Sequence, residues 1–217
     1  MYTPPYTVAA EADSLALLRA HPLGTVAWQG PSGLEATPLP WLLRGTALSE
    51  GLRLAAHAPR ANPLVQRALA QPQEVLVIFQ GVQGYISPNW YPSKAQFEKM
   101  VPTWNYSTVH VHGRLRAIDD PNWVREQLIE LTARYEANEP EPWTLEQAAP
   151  GFIDQLQRAL VGLELTVTRI EGKAKLSQNR EEGDQRGAIQ ALRQRGEHGL
   201  AEAMEQARDG HVPPSSR

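Results

Sequence analysis

Six strand-like segments follow one another between residues 23 and 116, and most are joined by short turns that contain glycine or proline. One helical segment, beginning at Pro63, interrupts this series. Consecutive strands with short connections are typical of antiparallel sheets and small barrels, because parallel strands need long crossovers. Two helices, a last strand and a C-terminal helix complete the chain. The sequence therefore predicts a mostly β, antiparallel fold with flanking helices, of the α+β class.

A β-hairpin is predicted at the start of this series, with strands over residues 23–29 and 34–44 around a glycine-containing turn. Pro38 and Pro40 lie inside the second strand. Because proline has no N–H to donate to a neighbouring strand, part of this strand must be an edge strand or a bulge.

Later segments give the rest of the sheet. The run Val75–Phe79 has five consecutive apolar residues, which predicts a strand buried on both faces. Residues 84–87 continue it after a turn, and residues 88–107 are predicted to be irregular. Residues 109–116 alternate between apolar and polar side chains, which predicts a strand with one buried face. A last strand is expected over residues 163–170, followed by a polar loop.

Helices are predicted where a capping residue precedes an apolar repeat of helical period. The predicted helices are one that begins at Asp13 or Ser14 and ends at His21-Pro22, one from Asn62-Pro63, one from Asp120-Pro121, one over residues 145–160, and one over residues 188–207 that is broken by Gly196 and Gly199.

The composition excludes several classes of site. The chain has no cysteine, which excludes disulfides, thiolate zinc sites, iron–sulfur clusters and a cysteine nucleophile. Its 21 basic and 24 acidic residues give a net charge of −3, so an overall basic surface for nucleic acid is absent. We expect no membrane span and no secretory signal, and therefore a cytoplasmic protein. Dinucleotide, Walker and nucleophile-elbow motifs and a helix-turn-helix signature are also missing.

A candidate anion site lies in residues 57–63, where a predicted strand ends and a helix begins. A helix N-terminus offers unpaired N–H groups and a partial positive charge. The guanidinium of Arg60 matches the geometry of a phosphate, and His57 and Asn62 lie beside it. The alternative is that Asn62 only caps the helix and Arg60 is solvated.

Two further stretches are candidates for ligand contacts. Trp104, Asn105 and Tyr106 combine rings that pack on a flat ligand with an amide that donates and accepts, or else they plug a barrel end or a dimer interface. The loop Lys173–Arg180 holds three cations, one hydroxyl and two amides. It could close over an anionic ligand or serve as a solvated connector.

His110 and His112 share the polar face of one strand. A histidine pair at this spacing can ligate a metal, but it needs a third ligand that the sequence does not supply. We therefore predict no metal site, and expect a polar strand face at a subunit boundary or ligand pocket.

Several blocks of the sequence resemble the PaiB-like family of FMN-binding negative transcriptional regulators. The matching blocks are residues 84–91, 101–106, 172–180, 60–63 and the start Met1-Tyr2-x-Pro4. The resemblance runs from residue 1 to about 195. It implies an FMN-binding split β-barrel that forms a homodimer, with flavin sites at the subunit interface.

The resemblance also implies which residues contact FMN. The phosphate would lie at His57, Arg60 and Asn62, and the edge of the isoalloxazine ring along Ala36, Thr37, Pro38 and Leu39. The ring would face Trp104, Asn105 and Tyr106, and Lys175, Ser177 and Gln178 would close the site. We expect a split-barrel domain over 1–180 with helices 120–160 packed on it, a helical extension over 181–210 and a disordered tail over 211–217.

Three functions stay open. The first is a flavin-binding regulator, for which direct DNA binding is possible but unsupported by charge or motif. The second is an FMN-dependent oxidoreductase that acts on a small molecule, although the sequence does not identify a catalytic acid or base. The third is a degenerate member that no longer binds flavin, since Pro38 and Gln83 replace histidines and Ala174 replaces an aromatic residue of the family pattern.

Overall fold

A computed structural model describes residues 1–96 and 100–209. Seven strands form one sheet in the spatial order 2-1-5-6-7-4-3. They are β1 (Leu23–Gly30), β2 (Gly33–Pro40), β3 (Leu42–Arg44), β4 (Arg53–Pro59), β5 (Gln73–Ile86), β6 (Thr103–Ile118) and β7 (Leu160–Lys175). The α-helices are α1 (Glu11–Ala20), α2 (Pro63–Ala70), α3 (Pro121–Glu136), α4 (Phe152–Arg158), α5 (Glu182–Gln194) and α6 (His198–Asp209).

The sheet is antiparallel, as the sequence predicts. β1 pairs with β2 and with β5, and β4 pairs with β3 and with β7, each in antiparallel register. The predicted mostly β architecture with flanking helices is therefore confirmed.

The predicted hairpin forms, but its second strand is shorter than expected. β2 ends at Pro40, and the chain then enters β3, which pairs with β4 instead of β1. The prediction of one strand over residues 34–44 was wrong, because the chain changes partner after Pro40. β2 is the outermost strand of its end of the sheet, which confirms the edge position expected from Pro38.

β5 is longer and less buried than predicted. Val75, Val77 and Phe79 are buried, whereas Leu76 and Ile78 are only half-buried, so one face alone lies in the core. The predicted turn before residues 84–87 does not exist, because β5 continues through its glycines to Ile86. A side chain at Gly81 would overlap the Ser107 hydroxyl, so this glycine marks a close approach of strands.

β6 and β7 also extend beyond the predicted strands. Residues 103–107, predicted to be irregular, form the start of β6, and residues 171–175, predicted as loop, form the end of β7. Both stretches are strands with many polar side chains. A sequence pattern does not distinguish such a strand from a loop. The predicted buried face of β6 is confirmed, with Val109, Val111 and Leu115 in the core.

Two helix caps are confirmed. The Asn62 side chain accepts from the Leu64 N–H at 2.9 Å and starts α2, and Asp120 does the same for Asn122 at the start of α3. The helix predicted to begin at Asp13 or Ser14 begins instead at Glu11, and ends at Ala20 as expected.

The predicted helix over residues 145–160 is much shorter. A single 3₁₀ turn covers Leu145–Gln147, and α4 begins only after Gly151, whose φ of +76° breaks the helical path. The C-terminal helix is indeed broken at Gly196, where φ is +79°, but Gly199 lies inside α6. Arg193 and Glu205 join α5 to α6 in an ion pair of 2.7 Å.

The chain divides into two compact units. Unit 1 comprises Met1–Leu17, Gln80–Val109 and Glu171–Arg217, and unit 2 comprises Leu18–Phe79 and His110–Ile170. The core of unit 1 packs α5 and α6 on Ile86, Tyr91 and Leu176. The predicted division at residue 180 stays a prediction, and the predicted tail over 211–217 lies outside the described residues. No described helix combines the length and apolar character required to cross a membrane.

Candidate functional site

The strand segment predicted to touch the flavin edge lies in unit 2, on β2. Ala36 and Pro38 are exposed, Thr37 is half-buried and Leu39 is buried. The side chain of Leu39 therefore belongs to the core, and the exposed pair Ala36 and Pro38 offers only small apolar surface. This segment can contact the edge of a flat ring, but it supplies no charged group.

His57, Arg60 and Asn62, which we call the phosphate set, also lie in unit 2. The imidazole of His57 projects from β4, and its Nδ1 lies 2.7 Å from Oε1 of Gln127 on α3. Gln127 is fully buried, whereas His57 is half-buried. The buried Gln127 amide therefore fixes the orientation of the His57 ring.

Arg60 is held by an acidic side chain. Its Nη1 and Nη2 donate to the two carboxylate oxygens of Asp119 at 2.7 and 2.5 Å. These hydrogen bonds raise the pKa of Arg60 and lower the pKa of Asp119. The sequence left open that Arg60 is only solvated, but in the structure it forms an ion pair. The sequence also left open that Asn62 caps the helix, and it does.

Trp104, Asn105, Tyr106, Lys175, Ser177 and Gln178, which we call the ring set, all lie in unit 1. Lys175 joins the two parts of this set. Its Nζ donates to the Thr103 hydroxyl at 2.6 Å and to the Trp104 carbonyl at 2.7 Å. The start of β6 and the end of β7 are therefore adjacent, and the structure brings these predicted residues together.

Lys175 has an unusual environment for a cation. It is half-buried, and this desolvation lowers its pKa, while nearby Tyr106 raises it and nearby Lys173 lowers it further. An ammonium has three N–H donors, and two of them are engaged by Thr103 and Trp104. Among the described residues no hydrogen bond engages the third donor, which is left for a ligand.

Asn105 is placed differently from the prediction. It is 1% exposed, and its amide Nδ2 donates to the Ser177 hydroxyl at 2.9 Å and lies 3.4 Å from the Met204 sulfur. The Asn105 side chain therefore makes its hydrogen bonds within the protein core. Ser177 has φ of +66°, a left-handed conformation rare for a residue with a side chain, and its bond to Asn105 holds it there.

Gln178 also shapes its own loop. Its side chain accepts from the Leu176 N–H at 2.8 Å and donates to the Ala174 carbonyl at 2.6 Å. The loop between β7 and α5 is thus built from side-chain contacts, and it is not the solvated connector that the spacing left open.

The exposed part of the ring set is aromatic. Trp104 is 50% exposed, and its Nε1 donates to Gln83 at 3.1 Å. Tyr85 stands edge-on to Trp104 with ring centroids 6.5 Å apart, and edge-on to Trp90 at 6.4 Å. Tyr106 lies under the Lys173 ammonium at 5.4 Å. An open tryptophan flanked by cations and amides is suited to a flat, electron-poor ring.

The His112 side of β6 is polar, as expected. The ring nitrogen Nε2 of His112 lies 3.1 Å from the guanidinium of Arg169, and the backbone carbonyl of His112 accepts from the Thr168 hydroxyl at 3.2 Å. A guanidinium only donates, so Nε2 accepts this bond and His112 belongs to a hydrogen-bonded strand face.

Sequence reasoning gave no contact role to four residues that touch the predicted ones: Gln127, Asp119, Gln83 and Tyr85. Gln83 and Tyr85 lie in the block 84–91 or directly before it, so the resemblance pointed to their neighbourhood. Gln127 and Asp119 carry no such signal, because their partners are 70 and 59 residues away in the chain.

Comparisons with known proteins find a matching family model and similar relatives. A family model described as "Putative FMN-binding domain" matches residues 1–169. Protease synthase and sporulation protein PAI 2 of Bacillus subtilis is 30% identical over 193 residues, which cover 88% of this chain and 89% of that protein.

Two known structures share the fold. The flavocytochrome Anf3 from Azotobacter vinelandii has a TM-score of 0.57 at 18% identity, over 76% of this chain and 67% of that chain. The conserved hypothetical protein Rv2991 from Mycobacterium tuberculosis has a TM-score of 0.58 at 14% identity, over 84% of this chain and 95% of that chain. The predicted split β-barrel is confirmed.

Proposed function

This chain belongs to the PaiB-like family of FMN-binding proteins, and on that premise we propose that it is a flavin-dependent negative regulator that holds FMN at the interface of a homodimer. FMN as the cofactor follows from the family. The regulatory role rests on the family and on the name of the Bacillus subtilis relative, which refers to protease synthesis and sporulation.

The side chains present fit FMN by their chemistry. A phosphate needs a cation, and Arg60 is 41% exposed with N–H groups beyond the two that Asp119 engages. A flat ring needs an open aromatic face, which Trp104 offers. Lys175 keeps one N–H donor for a flavin oxygen or nitrogen. When bound, FMN supplies redox chemistry through its isoalloxazine ring.

One observation carries the proposal: the ring set forms a connected cluster from two segments 71 residues apart. The family resemblance implies that these residues contact the flavin. In a homodimer, this cluster would form part of the flavin site at the interface. The exposed aromatic rings of the ring set would be covered by the flavin and the second copy.

Direct DNA binding through the C-terminal hairpin of α5 and α6 has little support. Its arginines are paired with acidic side chains, in the pairs Arg186–Glu182, Arg193–Glu205 and Arg195–Glu197. The carboxylates of these pairs would repel a DNA phosphate. We therefore propose that regulation acts through a protein partner or a small-molecule signal.

A second candidate function, an FMN-dependent oxidoreductase, is favoured by Lys175. Burial lowers the pKa of its ammonium, so this group gives up a proton more readily than an exposed lysine. A proton donor at the flavin is what reduction of a small molecule requires. The substrate would bind against the exposed face of Trp104 or Tyr85.

The test begins with an absorbance spectrum of the purified protein and titrations with FMN and riboflavin. We expect flavin binding in the micromolar range, with FMN preferred, and a dimer mass by light scattering with and without FMN. A protein that ignores FMN contradicts the proposal and favours a degenerate family member. Steady turnover with NADPH and an electron acceptor would favour the oxidoreductase over the regulator.

A further inference from the structure

The contact between His57 and Gln127 indicates which ring nitrogen carries the proton. Nδ1 of His57 lies 2.7 Å from Oε1 of Gln127. In this orientation of the Gln127 amide the oxygen accepts, so Nδ1 donates. In the neutral imidazole the proton is therefore on Nδ1, and Nε2 carries a lone pair. Within the described residues, this bond is the one hydrogen bond of the ring.

The backbone around His57 holds this amide at a fixed distance. His57 pairs with Gly162 of β7 in the antiparallel register. A side chain at Gly162 would overlap the Trp123 ring, so glycine at this position lets α3 lie directly on the sheet. Gln127 follows Trp123 by about one helical turn. The close approach at Gly162 therefore brings the Gln127 amide to His57.

A buried glutamine at position 127 lowers the stability of the fold unless its side-chain oxygen makes a useful hydrogen bond. It is fully buried, and its Nε2 has no hydrogen-bond partner among the described residues. A buried unpaired N–H group destabilises a fold, and an apolar side chain of similar shape would avoid this cost. Glutamine differs from such an apolar side chain in that it forms the hydrogen bond to His57.

We propose that Gln127 is a positioning residue that fixes the Nδ1–H tautomer of His57, so that Nε2 accepts a hydrogen bond from a hydroxyl of the flavin ribityl chain. This inference rests on the proposed flavin binding. A lone pair suits a hydroxyl donor and does not suit a phosphate dianion, which presents only acceptors. The assignment divides the phosphate set: Arg60 recognises the phosphate, and His57 recognises the sugar alcohol beside it.

The tautomer is measured first, on the flavin-free protein, by ¹⁵N NMR of the histidine side chains at about pH 8, where an ordinary histidine is neutral. We expect Nδ1 of His57 to be protonated and Nε2 to be unprotonated. Gln127→Leu should change the His57 signals to the opposite tautomer or a mixture. Gln157→Leu is the matched control, since Gln157 is also buried but bonds to the Pro121 carbonyl.

Gln127→Leu removes an unpaired buried N–H, so we expect a folded variant, which circular dichroism checks. A protonated Nε2 in the wild-type protein overturns the proposal. An unchanged tautomer in Gln127→Leu overturns it as well, because the glutamine would then not determine the proton position. Both outcomes are read without flavin and are independent of whether the protein binds FMN.

Flavin affinity tests the ligand group. His57→Ala and Gln127→Leu should weaken FMN and riboflavin to the same extent, by about five-fold, the size of one neutral hydrogen bond. Arg60→Ala should weaken FMN alone. A His57→Ala variant that loses FMN affinity but keeps riboflavin affinity assigns His57 to the phosphate and overturns the proposal. A wild-type protein that binds neither flavin refutes the proposed function and this hydroxyl contact with it, while the NMR result still decides the tautomer.

Discussion

Arg60 and Asp119 form a two-pronged ion pair, with Nη1 2.7 Å from Oδ2 and Nη2 2.5 Å from Oδ1. Their side chains are 41% and 49% exposed. An exposed pair of this kind contributes little to stability, so its partners can be exchanged at low cost. Asp119 therefore competes with any phosphate for the guanidinium of Arg60.

Removal of this competitor should strengthen FMN binding. In Asp119→Asn we expect FMN affinity to rise several-fold, riboflavin affinity to stay constant, and the unfolding free energy to change by less than ~1 kcal/mol. Isothermal titration calorimetry with both flavins measures the effect. Asp154→Asn, which breaks the exposed pair with Arg125, is the control. A loss of FMN affinity in Asp119→Asn would instead show that Asp119 orients Arg60 for binding.

Trp104 should report flavin binding by its fluorescence. Its ring is half exposed and lies in the ring set, so a bound flavin should quench its emission. In Trp104→Phe the quenching on FMN addition should fall clearly below that of the wild type. The matched control is Trp143→Phe, an exposed tryptophan of unit 2. If both variants are quenched like the wild type, Trp104 does not face the flavin.

Lys175 should give the fold a distinct pH dependence. Burial lowers its pKa below the ordinary value of 10.5, so the unfolded chain binds more protons between these two values. Lys175 should therefore make the unfolding free energy increase as pH rises through this range. In Lys175→Met this increase should be absent. Urea unfolding of both proteins at about pH 8 and about pH 10 measures the difference, with Lys94→Met as the control. A parallel response of the wild type and Lys175→Met would be evidence against the buried ammonium.

The left-handed backbone of Ser177 should make glycine the better replacement. Both Ser177→Ala and Ser177→Gly remove the hydrogen bond to Asn105. Only the alanine keeps a Cβ at φ +66°, which costs about 1 kcal/mol or more. We expect the glycine variant to be more stable than the alanine variant by about this amount in urea unfolding. Equal stabilities would mean that the loop relaxes away from the left-handed conformation.

Gly162 should tolerate no side chain. In Gly162→Ala the new Cβ would overlap the Trp123 ring, so we expect a loss of ~1–3 kcal/mol of unfolding free energy. Gly183→Ala is the matched control, because a Cβ there meets no atom within 4 Å. That variant should be neutral or slightly more stable, since alanine favours a helix over glycine. Equal effects at both positions would contradict the close packing of α3.

Most of the fold could be predicted because its signals are local. The strand alternation around Val111, the cap at Asn62 and the proline at position 38 each act within a few residues. The errors fall where polar residues form strands, as at Lys173, or where glycine marks a close approach and not a turn, as at Gly81. A sequence pattern does not distinguish these cases, because the deciding neighbour lies far away in the chain.

The sequence indicated which residues to group as a candidate site, but it did not indicate the contacts among them. The family blocks include Trp104 and Lys175, and the structure joins them through the Trp104 carbonyl. The burial of Asn105 and the commitment of Arg60 to Asp119 were not predictable, because each depends on a residue that tertiary structure brings near. Residue type indicates what a group can bind, whereas its existing partner determines what it is free to bind.

The prolines of β2 limit how two copies of this chain can meet. Pro38 and Pro40 lie on the outermost strand, and β3 at the other end of the sheet has only three residues. One edge lacks the N–H donors of Pro38 and Pro40, and the other is too short to template a partner strand. A continuous sheet shared by two copies is therefore disfavoured at both edges. Two copies that associate would then use side-chain surfaces, which would limit open-ended strand-to-strand aggregation.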